Sequence, residues 1–443
     1  TRGRKGGVSV LDGIRAAVSP ETEVLYERGC NFLGQALHPF DPSMLRDENG
    51  EAGLTGRYYN GPVLQGEPVQ VRTDRTVNFN WIFALPHSEL DTNCFSVAWT
   101  GSVIMPKTMD GCIGLSTQDS MRLYVDNELL IDGWGKDKSA DQVLDFHFEA
   151  GREYKIRIEF VNDGRAARVI FGYSEGRENF PAALEAVKKA DVAILCMGDN
   201  EETSGENFDR TDLNLPGRQL ELVQAVYATG TPVVLVLQSG RPVTANWEND
   251  HLPAILEAWF PGEQGGTAIA KTLFGDAAPG GRLPITFPRS VGQIPCHYSR
   301  RPGGGKRYVE MDWLPLYPFG YGLTYTMFAY RDMTLSRSVI DPQDTVTVSV
   351  TVTNTGKYTG DAVPQLYVRD MFSSVVKPER QLAAFRRLTL APGESRRVEL
   401  TVGPKQLRTL GPDYVWRVEP GKFELQLGDN AENILLRADL TVE

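Results

Sequence analysis

The spacing of apolar residues changes several times along the chain, and each change predicts a different kind of structure. Near the start, Val10, Ile14 and Val18 recur at helical spacing behind Ser9, a residue that can cap the first turn. The segment "TEVLYERG" that follows predicts a short strand. The two together predict the opening of an α/β domain, which stops near residue 45.

Residues 46–175 carry short runs rich in Val, Ile, Tyr, Phe and Trp, separated by Gly, Asn and Asp. Examples of these runs are "PVQVRT", "FSVAWTGSVIMP", "SMRLYVDNELLIDGW" and "YKIRIEFVND". Short β-rich runs with regular turn signals are typical of an all-β sandwich or barrel. This block therefore predicts a β domain of its own.

Helical and strand patterns alternate again over residues 178–300. The predicted helices are "FPAALEAVKKA", "GRQLELVQAVYATG" and "GGTAIAKTLFG", and the predicted strands are "DVAILCMG", "PVVLVLQSG" and "AILEAWFPG". Continuously apolar strands between helices indicate a parallel sheet covered on both faces. The β block therefore interrupts an α/β domain that resumes after it.

The last part of the chain alternates strictly between apolar and polar residues. Residues 301–330 are rich in Gly and aromatic residues and too irregular for one element, whereas "TVTVSVTVTNTG" places Val at every second position. This alternation predicts a seven-stranded immunoglobulin or fibronectin-like sandwich over residues 331–443. The chain is thus predicted to be multidomain, with an interrupted α/β domain followed by a second β-sandwich.

Composition narrows the classes of function. The 443 residues are 41% hydrophobic and 23% charged, which is ordinary for a globular protein, and the formal net charge is −11. An acidic chain is a poor partner for nucleic acid, and no apolar run approaches the roughly 20 residues that span a membrane. Five scattered Cys, an odd number without a CxxC pair, and five scattered His predict neither a disulfide framework nor a metal site.

The beginning of the chain is unusual. It starts at Thr1 with a basic, Gly-rich stretch that has no apolar core of a signal peptide. We expect a piece cut out for expression, a processed piece, or one half of a nicked protein. The compartment stays open between the bacterial cytoplasm and a secreted or periplasmic location.

Candidate chemistry lies in the loops after the predicted parallel strands, because ligands bind at the carboxyl ends of such strands. The candidates are "GDNEETSGENFDR", "SGRPV", "FPGEQGG" and whatever follows "EVLY". No Ser or Cys triad, GxGxxG or P-loop pattern is present, so carboxylate chemistry remains. The first loop is the longest, and its carboxylates are Glu201, Glu202, Glu206 and Asp209.

A general acid needs a carboxyl group whose pKa is raised by burial or by another carboxylate, and Glu206 is the best candidate. Glu206 follows Gly205, where the backbone can turn sharply, and we expect Arg210 to pair with Asp209 or Glu206 and to hold the loop. Glu263 competes, but an acid just before a helix also fits the helix dipole. The alternative is a solvated acidic loop without a chemical role.

These motifs resemble glycoside hydrolase family 3. Residues 1–45 and 178–330 are similar to its second, α/β sandwich domain, through "VSVLDGIRAAV", "SGENFDR", "ILEAWFPGEQGGTAIAKTLFGDAAPGGRLPITFP" and "PLYPFGYGLTYT". Residues 331–443 resemble its fibronectin type III-like domain, through "KPERQLAAFRRLTLAPGES". Residues 46–177, with "GLTGRYYN", resemble the protective-antigen-type sandwich that some members insert into the second domain.

The resemblance implies a retaining β-glycosidase, with β-glucosidase favoured, that acts on a β-linked glucoside or oligosaccharide. The family's "SGEGxDR" loop maps the acid/base onto Glu206, with Asn207 in place of Gly. The family's nucleophile is an Asp in an "SDW" motif of a (β/α)8 barrel; the near match, Asp312 in "MDW", is interpreted as structural. The barrel is therefore expected on a companion polypeptide, without which the chain is expected to be inactive. No cofactor is implied, and Gln118 before Asp119 argues against the calcium pair of some inserted sandwiches.

Five further residues are candidates for binding substrate or supporting the site. Asp209 and Arg210 complete the loop motif, and Phe208 is interpreted as the loop's anchor. Trp134 and Trp259 follow strands, where stacking on a sugar and packing in the core both stay open. A non-catalytic carbohydrate-binding or adhesion module is the alternative for the whole chain, although such a module has no use for an intact "SGENFDR".

Overall fold

The computed structural model describes residues 6–30, 37–81, 86–91, 94–117, 119–135, 142–162, 167–174, 180–200, 203–206, 208–303 and 308–443. The chain divides into two compact units. The first unit holds residues 1–26, 192–215 and 232–443, and the second holds residues 27–191 and 216–231. Within the ranges just given, every helix is too short or too polar to cross a membrane.

The secondary structure follows in chain order. The helices are α1 (Val10–Ala17), α2 (Pro181–Val187), α3 (Gln219–Tyr227), α4 (Asn246–His251), α5 (Gly265–Leu273) and α6 (Pro404–Leu407), with 3₁₀ turns at Pro42–Met44 and Val291–Gln293. The strands of the second unit are β1 (His38–Pro39), β2 (Leu45–Arg46), β3 (Leu54–Asn60), β4 (Gln70–Asp74), β5 (Asn78–Trp81), β6 (Phe95–Ile104), β7 (Met109–Thr117), β8 (Ser120–Val125), β9 (Glu128–Asp132), β10 (Gln142–Phe148), β11 (Glu153–Asn162) and β12 (Ala167–Ser174). The remaining strands are β13 (Ala193–Gly198), β14 (Val233–Gln238), β15 (Ala254–Glu257), β16 (Phe328–Leu335), β17 (Val339–Ile340), β18 (Val346–Asn354), β19 (Gly360–Ala362), β20 (Gln365–Asp370), β21 (Gln381–Phe385), β22 (Leu388–Leu390), β23 (Ser395–Val402), β24 (Thr409–Leu410), β25 (Trp416–Arg417), β26 (Gly421–Gly428) and β27 (Ile434–Val442).

The second unit is built on an antiparallel β-sandwich, as its short β-rich runs predict. One sheet has the order β4-β3-β6-β11-β8-β9, with β2 paired to β6, and the other has β1-β12-β7-β10, with β5 paired to β12. Tyr58, Trp99 and Phe160 are fully buried between the sheets. The sandwich begins before the predicted start at residue 46, because strand β1 and Leu45 of β2 already pair with sandwich strands β12 and β6.

Helices α2 and α3 also belong to the second unit, and both confirm predicted helical runs. The Oγ1 atom of Thr231, just after α3, donates to the carbonyl of Val187 at the end of α2 (3.2 Å). The guanidinium of Arg218 covers the ring of Phe180 at 4.8 Å, just before α2. The two helices are thus joined at both ends.

The α/β part of the first unit contains a parallel sheet in the order β13-β14-β15. Helix α1 is capped by Ser9, as the sequence predicts, with the Ser9 side chain accepting from the Asp12 amide. It packs tightly on α5, because a side chain at Gly13 would overlap the backbone of Gly266. The predicted strand in "TEVLYERG" is wrong: residues 23–30 have no regular structure, and Tyr26 is 61% exposed, so the segment lacks a sheet to bury it.

The end of the chain is a β-sandwich with sheets in the orders β16-β18-β23 and β17-β27-β26-β20-β21. Val346, Val348, Val350 and Val352 are all buried on one face of β18, which confirms the alternation. The first strand, β16, begins at Phe328, ahead of the predicted boundary at 331. The irregular segment before it is bound to this sandwich: the amide of Gln365 donates to the carbonyl of Gly320 (3.0 Å).

Candidate active site

Three loops leave the parallel sheet at one edge. Gly198 ends β13 opposite Gln238 of β14, and Leu237 of β14 pairs with Glu257 at the end of β15. Gly198 has φ +134°, and a side chain there would overlap the Gln238 carbonyl. Since side chains at the carboxyl ends of parallel strands converge, this edge is the natural place for a site.

The loop after β13 is organised around the buried carboxylate of Asp199, whose side chain is 2% exposed. Its backbone amide donates to the carbonyl of Gln238 (2.8 Å), which continues the sheet by one residue. Its Oδ1 atom accepts from Oγ1 of Thr203 (2.9 Å), and the Thr203 hydroxyl accepts from the Asn200 amide (3.0 Å). The first turn of the loop therefore closes on Asp199.

Two arginines approach the same carboxylate. Nη1 of Arg210 lies 3.5 Å from Oδ1 of Asp199, and Nε of Arg241 lies 3.7 Å from Oδ2. Arg210 also bonds Oδ1 of Asp212 (3.0 Å) and the carbonyl of Asn214 (2.8 Å). The predicted pairing of Arg210 with Asp209 or Glu206 is wrong, because a desolvated carboxylate needs a counter-charge far more than an exposed one does.

Arg241, from the "SGRPV" loop after β14, reaches across to both sides of the "SGENFDR" loop. Its Nη2 atom donates to the carbonyl of Thr203 (3.2 Å) and to that of Phe208 (3.4 Å), and Nη1 also approaches the Phe208 carbonyl (3.4 Å). Glu206 lies between those two carbonyls in the sequence. The guanidinium thus ties together the two flanks of the loop that carries Glu206.

Glu206 itself is exposed, and no hydrogen bond or ion pair joins its carboxylate to another described residue. The amide of Phe208 donates to the carbonyl of Gly205 (3.2 Å), which makes a turn at this position. The Phe208 ring lies against Gly205, where an added Cβ would be 3.2 Å from it, and is 37% exposed. Asp209 is exposed, and Glu201, Glu202 and Asn207 lie outside the described residues.

A further carboxylate of unusual acidity ends β15. Burial raises the pKa of Glu257 to about 7, and the nearby negative charge of Asp199 adds to the effect. Its Oε1 atom accepts from the amide of Trp259 (2.8 Å), and the hydroxyl of Ser239 lies 3.4 Å away. Sequence reasoning missed this residue, although an acid within the apolar run "AILEAW" is a usable signal.

Comparisons with known proteins place the chain in a family. Residues 4–325 match the glycosyl hydrolase family 3 C-terminal domain, and residues 362–431 match the fibronectin type III-like domain. The chain belongs to glycosyl hydrolase family 3. The resemblance drawn from the motifs is therefore confirmed, together with the α/β domain and the terminal β-sandwich that it implies.

Some relatives of this family 3 chain match it over nearly its whole length, and others match only part of it. A β-glucosidase of Rhizobium radiobacter is 34% identical over 98% of this chain and 55% of its own length. A β-xylosidase of Formosa agariphila is 45% identical over 61% of this chain and 38% of its own length. The structure of a β-glucosidase from Kluyveromyces marxianus in complex with glucose superposes with a TM-score of 0.63, at 26% identity over 100% of this chain and 56% of that one. The chain thus spans about half the length, or less, of these relatives.

The two predicted tryptophans have different surroundings in the family 3 chain. Trp259 follows β15 with φ +51°, and its ring meets that of Phe287 edge-on at 5.8 Å. Trp134 belongs to the second unit, where the guanidinium of Arg122 covers its ring at 4.7 Å. Both rings are partly exposed, so packing and stacking on a sugar remain compatible with either.

Across the described ranges, His, Cys, Asp and Glu form no group of three that is suited to a metal ion. Of the two residues compared with a calcium pair, Asp119 is buried, and Gln118 lies outside the described residues.

Asp312 accepts from the amide of Leu314 (3.0 Å) in an Asx turn, a structural role of the kind predicted for it.

Proposed function

We propose that this chain is the C-terminal part of a retaining, exo-acting β-glycosidase, with β-glucosidase favoured, and that Glu206 is its general acid/base. The observation that carries the proposal is the Glu206 loop: it leaves the carboxyl edge of the parallel sheet, its flanks are tied by Arg241, and the carboxylate between them stays exposed. A tied loop with an exposed acid suits proton transfer to a bound substrate.

The proposed mechanism has two steps. An Asp attacks the anomeric carbon, the bond to the leaving oxygen breaks, and Glu206 gives that oxygen its proton. Glu206, now a carboxylate, then takes a proton from water while the water oxygen attacks the anomeric carbon and releases the Asp. The two carboxyl groups must approach within about 5 to 5.5 Å for this chemistry.

The nucleophilic Asp is proposed to come from a (β/α)8 barrel on a companion polypeptide, so that the chain is inactive without it. The Rhizobium radiobacter β-glucosidase is matched over 55% of its length, so the rest of that enzyme has room for such a barrel. The proposed domains are residues 1–45 with 178–330, residues 46–177 and residues 331–443. The middle one is proposed to be a protective-antigen-type insert.

The remaining site residues are proposed to support Glu206. Phe208 packs on Gly205, and Arg210 holds Asp199, so each stabilises the loop from a different side. Asp209 lies next to both, and Trp259 and Trp134 are proposed as apolar contacts for a sugar. The substrate class is a β-linked glucoside or oligosaccharide; a xyloside is the alternative that the Formosa agariphila relative supports.

The test separates the chains of the purified enzyme under denaturing conditions and measures their masses. Activity on an aryl β-glucoside and an aryl β-xyloside is then compared for the wild type, Glu206→Ala and the control Glu263→Gln, an exposed carboxylate after β15. We expect Glu206→Ala to lose about 10²- to 10⁴-fold in kcat and the control to lose little. Azide should form the glycosyl azide with Glu206→Ala.

Two results would overturn the proposal. One is full activity in Glu206→Ala. The other is a chain that folds without a companion, hydrolyses neither glycoside and binds oligosaccharides equally well with or without Glu206. The second result would replace the enzyme by a carbohydrate-binding or adhesion module.

A further inference from the structure

Arg241 occupies a position that no loop motif predicts. It is the only arginine of the "SGRPV" loop, yet its bonds go to the backbone of another loop, at the carbonyls of Thr203 and Phe208. Those carbonyls flank the four residues 204–207, among which Glu206 is the only described carboxylate. A single side chain thus fixes the distance between the two ends of the segment that presents Glu206.

The charge of Arg241 is anchored as well. Nε lies 3.7 Å from Oδ2 of Asp199, whose other oxygen is bonded by Thr203. Asp199 is nearly inaccessible to water, so its negative charge is weakly screened and holds the guanidinium strongly. Asp199 lies at the start of the Glu206 loop, and Arg241 bonds to carbonyls on both sides of Glu206. Both residues therefore hold the same backbone segment.

Arg210 does not duplicate this arrangement. It approaches the opposite oxygen of Asp199 and then turns to Asp212 and Asn214, beyond the loop's second flank. Its removal therefore leaves the bonds to Thr203 and Phe208 in place. The backbone of Arg241 is also held, because its carbonyl accepts a hydrogen bond from the hydroxyl of Ser239 (2.8 Å).

We propose that Arg241 is a positioning residue for the general acid, which aims Glu206 by tying the carbonyls of Thr203 and Phe208 to the buried Asp199. The inference rests on the proposed function, since it assigns Arg241 to the step that Glu206 performs. Arg241 touches neither substrate nor reacting atoms in this scheme. Its effect is confined to reactions that need a well-placed proton.

Leaving groups of different acidity separate this role from a general structural one. A 2,4-dinitrophenolate departs without a proton, whereas an alkoxide or 4-methoxyphenolate needs one. In the complete enzyme, with the companion barrel present, we expect Arg241→Met to lower kcat/KM about 10- to 100-fold for the poor leaving groups. For the dinitrophenyl glycoside the loss should stay below about threefold.

Matched variants make the result specific. Arg337→Met removes an exposed arginine that pairs with Asp344 in the terminal sandwich and should leave both substrates unaffected. Arg241→Lys keeps a charge opposite Asp199, but one ammonium group does not span both carbonyls as a guanidinium does. It should lose an intermediate amount on the poor leaving groups, and it serves as the test if Arg241→Met fails to fold.

The outcomes distinguish failure of this inference from failure of the proposed function. If Glu206→Ala lacks the leaving-group dependence, the acid/base assignment is wrong, and the inference is lost with it. If Glu206→Ala has that dependence while the Arg241 variants lose equally on all substrates, or lose nothing, only the positioning role is overturned. The double variant Glu206→Ala/Arg241→Met should lose no more kcat/KM than Glu206→Ala alone, because Arg241 cannot position an acid that is absent.

Discussion

The carboxylate of Glu257 accepts a hydrogen bond at 2.8 Å from the backbone amide of Trp259, two residues further along the chain. This contact stabilises the charged form, yet burial outweighs it and raises the pKa of Glu257 to about 7. Glu257 therefore carries its proton in the folded protein over a pH range in which it has lost it in the unfolded chain.

The sign of the resulting pH dependence follows from proton binding. Between about pH 4.5 and 7 the folded state holds one more proton than the unfolded state, so raising the pH removes up to about 3 kcal/mol of stability. Glu257→Gln should abolish this loss, because an amide does not titrate. We expect the difference in unfolding free energy between variant and wild type to grow in favour of the variant from pH 5 to pH 7.5. If the unfolding free energies of variant and wild type, measured in urea, ran parallel over that pH range, the raised pKa of Glu257 would be ruled out.

Gly198 is expected to tolerate no side chain. Its φ of +134° is unfavourable for other residues, and a Cβ would overlap the Gln238 carbonyl. Gly198→Ala should therefore cost more than about 3 kcal/mol of unfolding free energy. The control Gly275→Ala has φ +85° but open space around it, and should cost only about 1 to 2 kcal/mol. Equal shifts of the urea midpoint in both variants would contradict this prediction and show that the backbone adjusts to a side chain at Gly198.

Local patterns predicted most of the fold. Ser9 caps α1, the apolar runs become β13, β14 and β15, and the alternate valines of β18 face the core, because each depends on neighbours close in sequence. The strand expected in "TEVLYERG" failed because a strand also needs a partner, which local composition does not provide.

The site was predictable only in part, for a similar reason. The "SGENFDR" motif locates Glu206, but the partner of Arg210 depends on which carboxylate folding buries. That carboxylate is Asp199, in the strand-end segment "GDN", and nothing in its immediate sequence distinguishes it from Asp209. The bonds of Arg241 and the acidity of Glu257 likewise arise from residues that meet only in the folded sheet.

Gln365 should be essential for the attachment of the segment before the terminal sandwich. Its buried side chain donates to the carbonyls of Gly320 (3.0 Å) and Asp429 (2.6 Å) and accepts from the hydroxyl of Tyr367 (2.6 Å). Gln365→Leu leaves these buried groups without a partner and should cost about 3 kcal/mol or more. The exposed Gln381→Leu on the neighbouring strand is the control, with an expected change within about 0.5 kcal/mol. A similar shift in urea unfolding for both variants would contradict the role of Gln365.

Asp199→Asn tests whether the buried charge, rather than the shape of the side chain, keeps the Glu206 loop ordered. Asparagine is nearly isosteric, but it offers no negative charge to Arg241 or to Arg210, and Arg210 is left with its more exposed partner Asp212. The loop amides of Thr203 and Ser204, both bonded to the carbonyl of Asn200, should exchange hydrogen about tenfold faster or more, since loss of a buried charge partner lowers the free energy of local opening by over about 1 kcal/mol.

Asp212→Asn is the control for Asp199→Asn, because it removes the exposed partner of Arg210 and leaves the contact with Asp199 intact. Its loop amides should exchange within about twofold of the wild type, since exposed ion pairs contribute little. Equal protection in both variants would mean that hydrogen bonds alone order the loop. Faster exchange in Asp199→Asn only, together with a selective loss on poor leaving groups, would tie the charge of Asp199 to the aim of Glu206.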